Sequence, residues 1–204
     1  MSYLSSRAGF IDDGGISAAK DQIRLEVKAA KKTLTDSFKI QQAKIVFSKI
    51  EQTPEFKQAK TILMYWSLPD ELPTHRWVKK WSHSKEILLP AIRNNQLVVG
   101  RFFTEVQLVK GVFNVMEPQP EAIENAKPSS DCAEQIDLAV IPGTAFDKQK
   151  NRLGRGRAYY DKFLQNKNML KWAVGFDIQL YDTIPATTKD VKMDRIITPN
   201  LTVL

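Results

Sequence analysis

The segment Asn151–Asp161, NRLGRGRAYYD, carries three arginines, two glycines and a closing acid. It follows an apolar run, Ile136–Ile141, and a Pro-Gly turn, and it leads into a helix-like run, Ala158–Leu164. A strand, a glycine-broken loop and a helix start bring backbone N–H groups together around an anion. Guanidinium groups add planar, permanently charged donors that suit phosphate or carboxylate. The segment therefore predicts a polyanion-binding loop, with a nucleotide as the favoured ligand.

The composition narrows the chemistry further. The 204 residues, 43% hydrophobic and 26% charged, are typical of a globular protein that buries a core of its own. A single cysteine, Cys132, allows no intramolecular disulfide and no cysteine-based metal site. The net charge of +7 indicates either a solvated basic surface or an anionic partner. Because the basic residues form no continuous tract and no nucleic-acid motif accompanies them, we expect no nucleic-acid partner.

The sequence also leads to expectations about location and domain organisation. It has neither a signal-peptide core at its start nor an apolar run of roughly 18 residues, the length that spans a membrane. We therefore expect a soluble, cytoplasmic protein without a membrane partner. Residues 1–16 are predicted to be a flexible extension, and residues 17–204 a single domain that acts as a monomer.

Helical periodicity alternates with short apolar runs along the chain. Ser17 is a good cap for a first helix, a second helix is predicted to stop before Pro54, and Thr74 is predicted to cap a short third one. The predicted strands are Thr61–Trp66, Glu86–Leu89, Leu97–Phe103, Ile136–Ile141, Lys171–Phe176 and Arg195–Thr198. The proline- and acid-rich stretch Glu117–Asp131 indicates a surface connection.

This alternation predicts an α/β fold, a Rossmann-like three-layer α/β/α sandwich with a largely parallel central sheet. Ligands of such sheets bind beyond the carboxyl ends of the strands. The arginine-rich loop follows Ile136–Ile141, and Asp70 and Glu71 follow the first strand. Asp177 and Gln179 follow a later one. Three polar clusters that are distant in sequence are thus expected at one edge.

Several charged residues outside the loop have two readings each. Lys20, Arg24 and Lys28, spaced by four, form either a solvated basic stripe or a face that an anion would cover. Glu71 is either an ordinary surface acid or a hydrogen-bond acceptor for a ligand.

The acids near the loop and near the C-terminus also have two possible roles each. Asp161 stands four residues after Arg157, which fits a helix salt bridge but also a ligand of Mg²⁺ on a nucleotide. Asp190 and Asp194 are candidates of the same kind, one for a metal and one for a structural role. His75 and His83 have no partner pattern and are interpreted as surface or helix-end histidines.

The residues Pro142–Leu164, PGTAFDKQKNRLGRGRAYYDKFL, resemble the signature of the 5-formyltetrahydrofolate cyclo-ligase family, also called 5,10-methenyltetrahydrofolate synthetases. That signature is roughly PGxxFDxxGxRLGxGxGYYDxxL. Four further segments resemble the family in the expected order: Lys20-x-x-x-Arg24, MYWSLPDELPT from Met64 to Thr74, KEILLPAI, and VGFDIQLYDTIPATTKDVKMDRIIT from Val174 to Thr198. The resemblance therefore covers most of the chain from Lys20 to Thr198.

This resemblance implies an ATP- and Mg²⁺-dependent ligase of one-carbon metabolism on a three-layer α/β/α fold. Such an enzyme converts 5-formyltetrahydrofolate to 5,10-methenyltetrahydrofolate and releases ADP and phosphate. Transfer of the γ-phosphoryl group to the formyl oxygen would make that oxygen a good leaving group for attack by N10. This chemistry needs positioning and charge neutralisation, which accounts for the many Arg, Lys, Gly and Asp residues and for the lack of a Ser–His or Cys–His pair.

By match to the family motifs, three residues are assigned to catalysis: Arg152, Arg155 and Tyr159. ATP binding is assigned to Lys20, Arg24, Arg152, Leu153, Gly154, Arg155, Gly156, Arg157, Ala158, Tyr159 and Tyr160. Folate binding is assigned to Trp66, Glu71, Arg155, Gly156, Arg157, Ala158 and Tyr159. Mg²⁺ binding is assigned to Asp161 and Asp190.

Two positions depart from the family pattern. Ala158 stands where the pattern has glycine, and Lys150-Asn151 stands where a glycine is common just before the arginine. If position 158 needs a positive φ, alanine is strained there by roughly 1 kcal/mol or more, whereas in a helical conformation it is harmless. Neither departure removes a charge that catalysis needs.

Two alternatives to this enzyme are considered. One is a nucleotide- or nucleic-acid-binding protein on the same fold without turnover, which would have no need of a folate-side Glu71. The other is a different enzyme on a related scaffold, such as a phosphosugar isomerase or an acyl-group transferase, which does not call for an acid beside an arginine-rich loop.

Overall fold

The structure, a computed structural model, describes residues 13–111, 115–125 and 136–204. In these ranges the helices are α1 (Asp13–Lys31), α2 (Asp36–Gln52), α3 (Pro54–Gln58), α4 (His75–Trp81), α5 (Pro120–Asn125) and α6 (Tyr159–Leu164). The strands are β1 (Thr61–Leu63), β2 (Glu86–Arg93), β3 (Gln96–Arg101), β4 (Leu108–Lys110), β5 (Met116–Pro118), β6 (Leu138–Pro142), β7 (Ala145–Asp147), β8 (Arg152–Leu153), β9 (Leu170–Val174), β10 (Leu180–Tyr181), β11 (Arg195–Ile197) and β12 (Thr202–Val203).

A seven-stranded sheet with the order β12-β11-β9-β6-β1-β2-β3 forms the centre of the fold. The strands from β11 to β2 pair in parallel, whereas β12 and β3 pair antiparallel at the two edges. The middle strand, β6, is buried from Leu138 to Ile141, as its continuous apolar sequence predicts. The predicted α/β class and largely parallel sheet are confirmed.

Alternate residues of each inner strand face two different helical layers. Ile62 and Val140 belong to the cluster that packs α2 and α4 on one face, around Phe47. Leu63 and Ala139 belong to the cluster on the other face, with Leu164 of α6. Each large side chain buried in this way contributes roughly 1.5–3 kcal/mol. Since both faces are covered, the central strand β6 is apolar throughout rather than alternating.

The order of the parallel strands decides where a ligand can enter. Reading across the sheet as β2-β1-β6-β9-β11, the chain order reverses between β1 and β6. The connections that leave these two strands turn to opposite sides and open a crevice at the carboxyl ends. The segment after β1 contains Glu71, and the segment after β6 contains the arginine-rich loop.

A second, three-stranded sheet with the order β10-β7-β8 holds α1 beside the arginine-rich loop. Val27 of α1 is buried together with Ala145, Leu153 and Ile184 of this small sheet and its surroundings. The first helix is therefore fixed close to the loop, although 120 or more residues separate them in sequence.

The predicted start of the first helix was wrong. The helix α1 begins at Asp13 rather than after Ser17, so residues 13–16 of the predicted extension are helical. Ser17 therefore lies inside α1 and not at its start. Residues 1–12 lie outside the described residues.

Two further predictions about local structure need correction. The stretch Glu117–Asp131 is not simply a surface connection: β5 includes Glu117, which is 2% exposed, and α5 follows; residues 126–131 lie outside the described residues. The strand predicted to end at Leu89 continues to Arg93, because Asn94 and Asn95 turn the chain with φ of 51° and 59° into the antiparallel β3. Asparagine tolerates this left-handed conformation better than most residues.

None of the helices in the described part of the chain combines the length and the apolar character needed to cross a membrane.

Candidate active site

A cavity of about 440 Å³ opens at the carboxyl ends of β1 and β6. One part of its lining, here called the charged wall, consists of Glu71, Arg152, Arg155, Arg157 and Asp161. Another part, here called the apolar wall, comes from β2, β3, β5 and the residue before β5. It consists of Pro90, Ala91, Ile92, Leu97, Val115, Met116 and Glu117. Trp66, Gly154, Ala158, Tyr159 and Tyr160 also line the cavity. Its volume suits a drug-sized or cofactor-sized ligand.

Arg152 is the most deeply placed cation of the charged wall. Its side chain is 2% exposed, and its Nη2 donates to Asp161 Oδ1 at 2.9 Å. The guanidinium also lies over the ring of Tyr160, 5.6 Å from the centroid. Its buried Nε has no hydrogen-bond partner among the described residues. A buried donor without a partner costs about 1–3 kcal/mol, so an acceptor from a ligand would be stabilised at this position.

Arg155 connects the loop to the segment after β1. Its Nη2 donates to Asp70 Oδ1 at 2.7 Å and to Glu71 Oε1 at 3.0 Å. Burial opposes the charge of Arg155, but the carboxylates of Glu71 and Asp70 outweigh it, and the pKa of Arg155 is raised. Glu71 also accepts from Leu68 N at 3.0 Å, so its carboxylate is held at both oxygens. The two segments that the sequence places at one sheet edge thus meet through this cluster.

The two basic residues predicted from α1 reach the same region. Lys20 Nζ contacts Asp190 Oδ2 at 2.6 Å, and Arg24 Nε donates to the carbonyl of Gly154 at 3.0 Å. Lys28, the third member of the predicted stripe, is exposed. Of the two readings of this stripe, the solvated one applies to Lys28, whereas Lys20 and Arg24 face the loop and its surroundings.

Two aromatic side chains shape the cavity. Trp66 is 7% exposed and stacks on His75, with ring centroids 4.0 Å apart and planes inclined by 13°. Tyr159 donates its hydroxyl hydrogen to Asn95 Oδ1 at 2.8 Å, which ties the start of α6 to the β2–β3 turn. His75 begins α4 and its Nε2 lies 3.0 Å from the carbonyl of Ser67. Burial lowers the pKa of His75, so the ring that supports Trp66 is neutral at pH 7.

The two acids predicted to bind a metal lie on neighbouring segments. Asp161 Oδ1 accepts from Val191 N at 3.2 Å, which brings it next to Asp190. Each carboxylate already faces a cation, Arg152 for Asp161 and Lys20 for Asp190. Asp194 instead accepts from Lys171 N at 2.7 Å, a structural role. Among the described residues no group of three or more His, Cys, Asp or Glu side chains could hold a metal by itself.

The backbone at the two departures from the family pattern answers the question that the sequence left open. Ala158 has φ 54° and ψ 23°, and Lys150 has φ 66°. Both non-glycine residues thus adopt the left-handed conformation that favours glycine. Ala158 therefore adopts the strained conformation of the two alternatives. The residue lies directly before α6 and lines the cavity.

Ala158→Gly is therefore expected to stabilise the protein. Relief of left-handed strain is worth about 1–2 kcal/mol, and the greater freedom of glycine in the unfolded chain offsets about 0.4–1 kcal/mol of it. The net gain should raise the melting temperature by about 1–3 °C. Ala29→Gly, at an exposed position inside α1, is the matched control and should lower stability by about 1 kcal/mol. Equal destabilisation by both variants in a thermal melt would contradict strain at position 158.

Most of the predicted site residues meet at the cavity, but five do not line it: Lys20, Arg24, Leu153, Gly156 and Asp190. Leu153 is 3% exposed and packs in the core of the small sheet, so only its backbone belongs to the loop. Lys20, Arg24 and Asp190 stand behind the lining. The reason is geometric, since α1 packs on the outer side of the loop, where Gly156 (φ 105°) lies against the Arg24 side chain.

Sequence reasoning missed several residues that build the site. Asp147 is fully buried and accepts from Gln149 N, Asn151 N and Ile184 N at 2.9–3.0 Å, which fixes the turn into the loop. Its position after Phe146 in the quoted signature could have indicated this role. The hydrophobic residues of the apolar wall carried no signal, because those of a cavity are indistinguishable from core residues in one sequence. Glu117 lies in a proline-rich stretch that is typical of a surface connection.

The chain is similar in sequence and in structure to known proteins. The model of the 5-formyltetrahydrofolate cyclo-ligase family matches residues 16–199. The 5-formyltetrahydrofolate cyclo-ligase of Haemophilus influenzae is 27% identical over 185 residues, 87% of this chain and 96% of that protein. The solution structure of Aquifex aeolicus 5,10-methenyltetrahydrofolate synthetase is similar with a TM-score of 0.77 at 27% identity, covering 90% and 91% of the two chains. A Mycoplasma pneumoniae 5,10-methenyltetrahydrofolate synthetase shares the fold at 19% identity with a TM-score of 0.65, covering 88% and 98%.

Proposed function

Because the chain belongs to the 5-formyltetrahydrofolate cyclo-ligase family, we propose that it converts 5-formyltetrahydrofolate to 5,10-methenyltetrahydrofolate with consumption of ATP. The observation that carries the proposal is the cavity itself. It combines a charged wall, in which the buried Arg152 Nε lacks a partner among the described residues, with an apolar wall and Trp66. A nucleotide phosphate suits the first part, and a flat pterin suits the second.

The proposed reaction has three steps. The formyl oxygen attacks the γ-phosphorus of ATP, the bond to the bridging oxygen breaks, and ADP leaves with that electron pair. The amine N10 then attacks the activated formyl carbon and loses its proton. Finally the carbon–oxygen bond breaks, phosphate leaves, and the resulting carbon–nitrogen double bond completes 5,10-methenyltetrahydrofolate. A formamide oxygen is a poor leaving group, and phosphorylation turns it into a good one.

The side chains of the charged wall supply positioning and charge. Arg152 and Arg155 would donate to the oxygens of the transferring phosphoryl group, whose charge spreads in the transition state. Both guanidinium groups are already oriented by carboxylates, Asp161 for the first and Glu71 for the second. Such preorganisation avoids reorientation during the reaction. Lys20 and Arg24 would add positive charge behind the loop for the rest of the nucleotide.

The residues present fit Mg²⁺ bound together with a nucleotide. Mg²⁺ takes one or two carboxylates and leaves its other positions to phosphate and water, so the neighbouring Asp161 and Asp190 meet its requirement without a larger cluster. When bound, the ion would neutralise charge on the phosphate oxygens. Arg152 and Lys20 pair with these acids, and the same cations are the ones proposed to meet the phosphates.

The test follows the absorbance of methenyltetrahydrofolate with purified protein, 5-formyltetrahydrofolate, ATP and Mg²⁺. We expect an absorbance rise that needs every component, with one ADP formed for each product. A non-hydrolysable ATP analogue in place of ATP is the matched control and should give no rise. If the complete mixture behaves like the mixture without enzyme, the proposal is wrong. The monomeric state and the cytoplasmic location stay predictions from the sequence.

A further inference from the structure

The apolar wall of the cavity contains one charged residue, Glu117. Its neighbours in the lining are Ile92, Leu97, Val115 and Met116, and its side chain is 2% exposed. Burial of a carboxylate among apolar side chains is costly unless hydrogen bonds compensate. The mechanism proposed above gives this residue no task. A buried charged group in a binding cavity is therefore left to explain.

The contacts of Glu117 satisfy part of its hydrogen-bonding capacity. Its Oε1 accepts from Ile92 N at 3.2 Å, and its Oε2 accepts from Arg93 Nη1 at 2.6 Å. A carboxylate offers about four acceptor positions, so these two bonds leave room for about two more. Arg93 is 34% exposed, so one side of the ion pair faces solvent while the carboxylate stays inside.

The backbone packs closely around this carboxylate. A Cβ atom added at Gly111 would collide with it, so the chain approaches Glu117 where only glycine fits. The main-chain N–H of Ile92 and the packing at Gly111 together fix the orientation of the carboxylate. A fixed acceptor pair beside an apolar surface is the arrangement that recognises a flat ligand with two adjacent donors.

We propose that Glu117 binds the pyrimidine edge of the pterin, accepting from N3–H and from the 2-amino group; this assignment rests on the proposed function. These two donors are adjacent, parallel and planar, which matches the two oxygens of a carboxylate. They lie at the opposite end of the fused rings from N5, which carries the formyl group. A pterin whose formyl oxygen meets the charged wall therefore turns its pyrimidine edge away from that wall and toward Glu117.

Glu71, the other acid of the lining, is less suited to this role. It belongs to the charged wall beside the phosphate loop, where it holds Arg155. A pyrimidine edge bound there would place N5 away from the loop. Glu117 meets no cation of the loop, since its ion-pair partner is Arg93 of β2.

The test measures the affinities of 5-formyltetrahydrofolate and of its 2-desamino analogue, in which hydrogen replaces the 2-amino group. In the unaltered protein we expect the analogue to bind roughly 10- to 100-fold more weakly, the effect of losing a hydrogen bond to a charged group. In Glu117→Met, which removes both acceptors at similar volume, the two ligands should differ by less than about 3-fold. Glu117→Gln, which keeps one acceptor oxygen, should give an intermediate ratio and serves if the methionine variant does not fold.

Arg93→Gln is the matched control. It breaks the same ion pair but keeps the carboxylate, so it should lower stability while the discrimination between the two ligands persists. If Glu117 has a purely structural role, the ratio of the two affinities should be unchanged in every Glu117 variant, and that result overturns the proposal. Loss of discrimination in Glu71→Gln alone also overturns it. If the unaltered protein binds 5-formyltetrahydrofolate and forms product, only the Glu117 assignment fails in these cases. If it does neither, the proposed function fails and the assignment fails with it.

Discussion

Replacing Arg152 with alanine should lower turnover by at least about 10²-fold, because charge stabilisation is the main contribution of the protein to phosphoryl transfer. The side chain is 2% exposed, one of its nitrogens is bonded to Asp161, and its Nε is buried without a partner among the described residues. Arg152→Lys keeps the charge but loses the planar fork, so it should recover only part of the rate. The measurement is kcat for methenyltetrahydrofolate formation at saturating substrates.

A structural effect must be separated from this catalytic one. Loss of Arg152 leaves the nearly buried Asp161 without its cation, which can cost about 3–5 kcal/mol of stability. Arg195→Ala is a suitable control, because Arg195 is also mostly buried and paired, with Glu55 at 2.9 Å, but does not line the cavity. It should destabilise the protein while kcat stays within about 2-fold. A near-normal kcat in Arg152→Ala, measured below its melting temperature, would show that the phosphate site lies elsewhere.

The fold could be predicted from the sequence because its signals are local. The continuous apolar run at Ile136–Ile141 predicts a strand buried on both faces, and β6 is the middle strand of a parallel sheet. The position of polar residues after successive strands predicts their meeting at one edge, and Arg155 does contact Glu71 there. The resemblance to the cyclo-ligase family is confirmed by the family model as well.

What escaped prediction depends on residues that are distant in sequence. Glu117 stands in a proline-rich stretch that indicates solvent, yet packing against Gly111 and β2 buries it. No local pattern encodes such a contact. The left-handed turn at Asn94-Asn95 did have a local signal, since asparagine pairs favour such turns, and it was missed because the apolar run of β2 contains Pro90. The sequence left two conformations open for Ala158, a helical one and one with positive φ. Alanine occurs far more often in helices than at positive φ, so the residue type gave no sign of the conformation observed.

Replacing Asp161 with asparagine should lower turnover as much as the loss of Arg152, because it also removes a charge from the phosphoryl-transfer site. Asparagine keeps an oxygen for the bonds from Val191 N and Arg152 Nη2, so the loop geometry should survive, but it removes the charge proposed to hold Mg²⁺. We expect turnover to fall at least about 10²-fold and the Mg²⁺ concentration for half-maximal rate to rise about 10-fold or more, the size of effect expected when a metal ligand loses its charge. Asp194→Asn, which alters an acid bonded to Lys171 N, is the control and should leave the Mg²⁺ dependence unchanged.

The pair Arg152–Asp161 also allows a test of joint action. If both side chains act in the same phosphoryl-transfer step, removal of either one disables the unit, and the double variant Arg152→Ala/Asp161→Ala should be little slower than either single variant. If the two act independently, their effects on kcat multiply to about 10⁴-fold. Because the ion pair with Asp161 at 2.9 Å orients Arg152, we expect the first result. Multiplicative loss would mean that Asp161 serves the metal alone and that Arg152 finds its position on the phosphate without it.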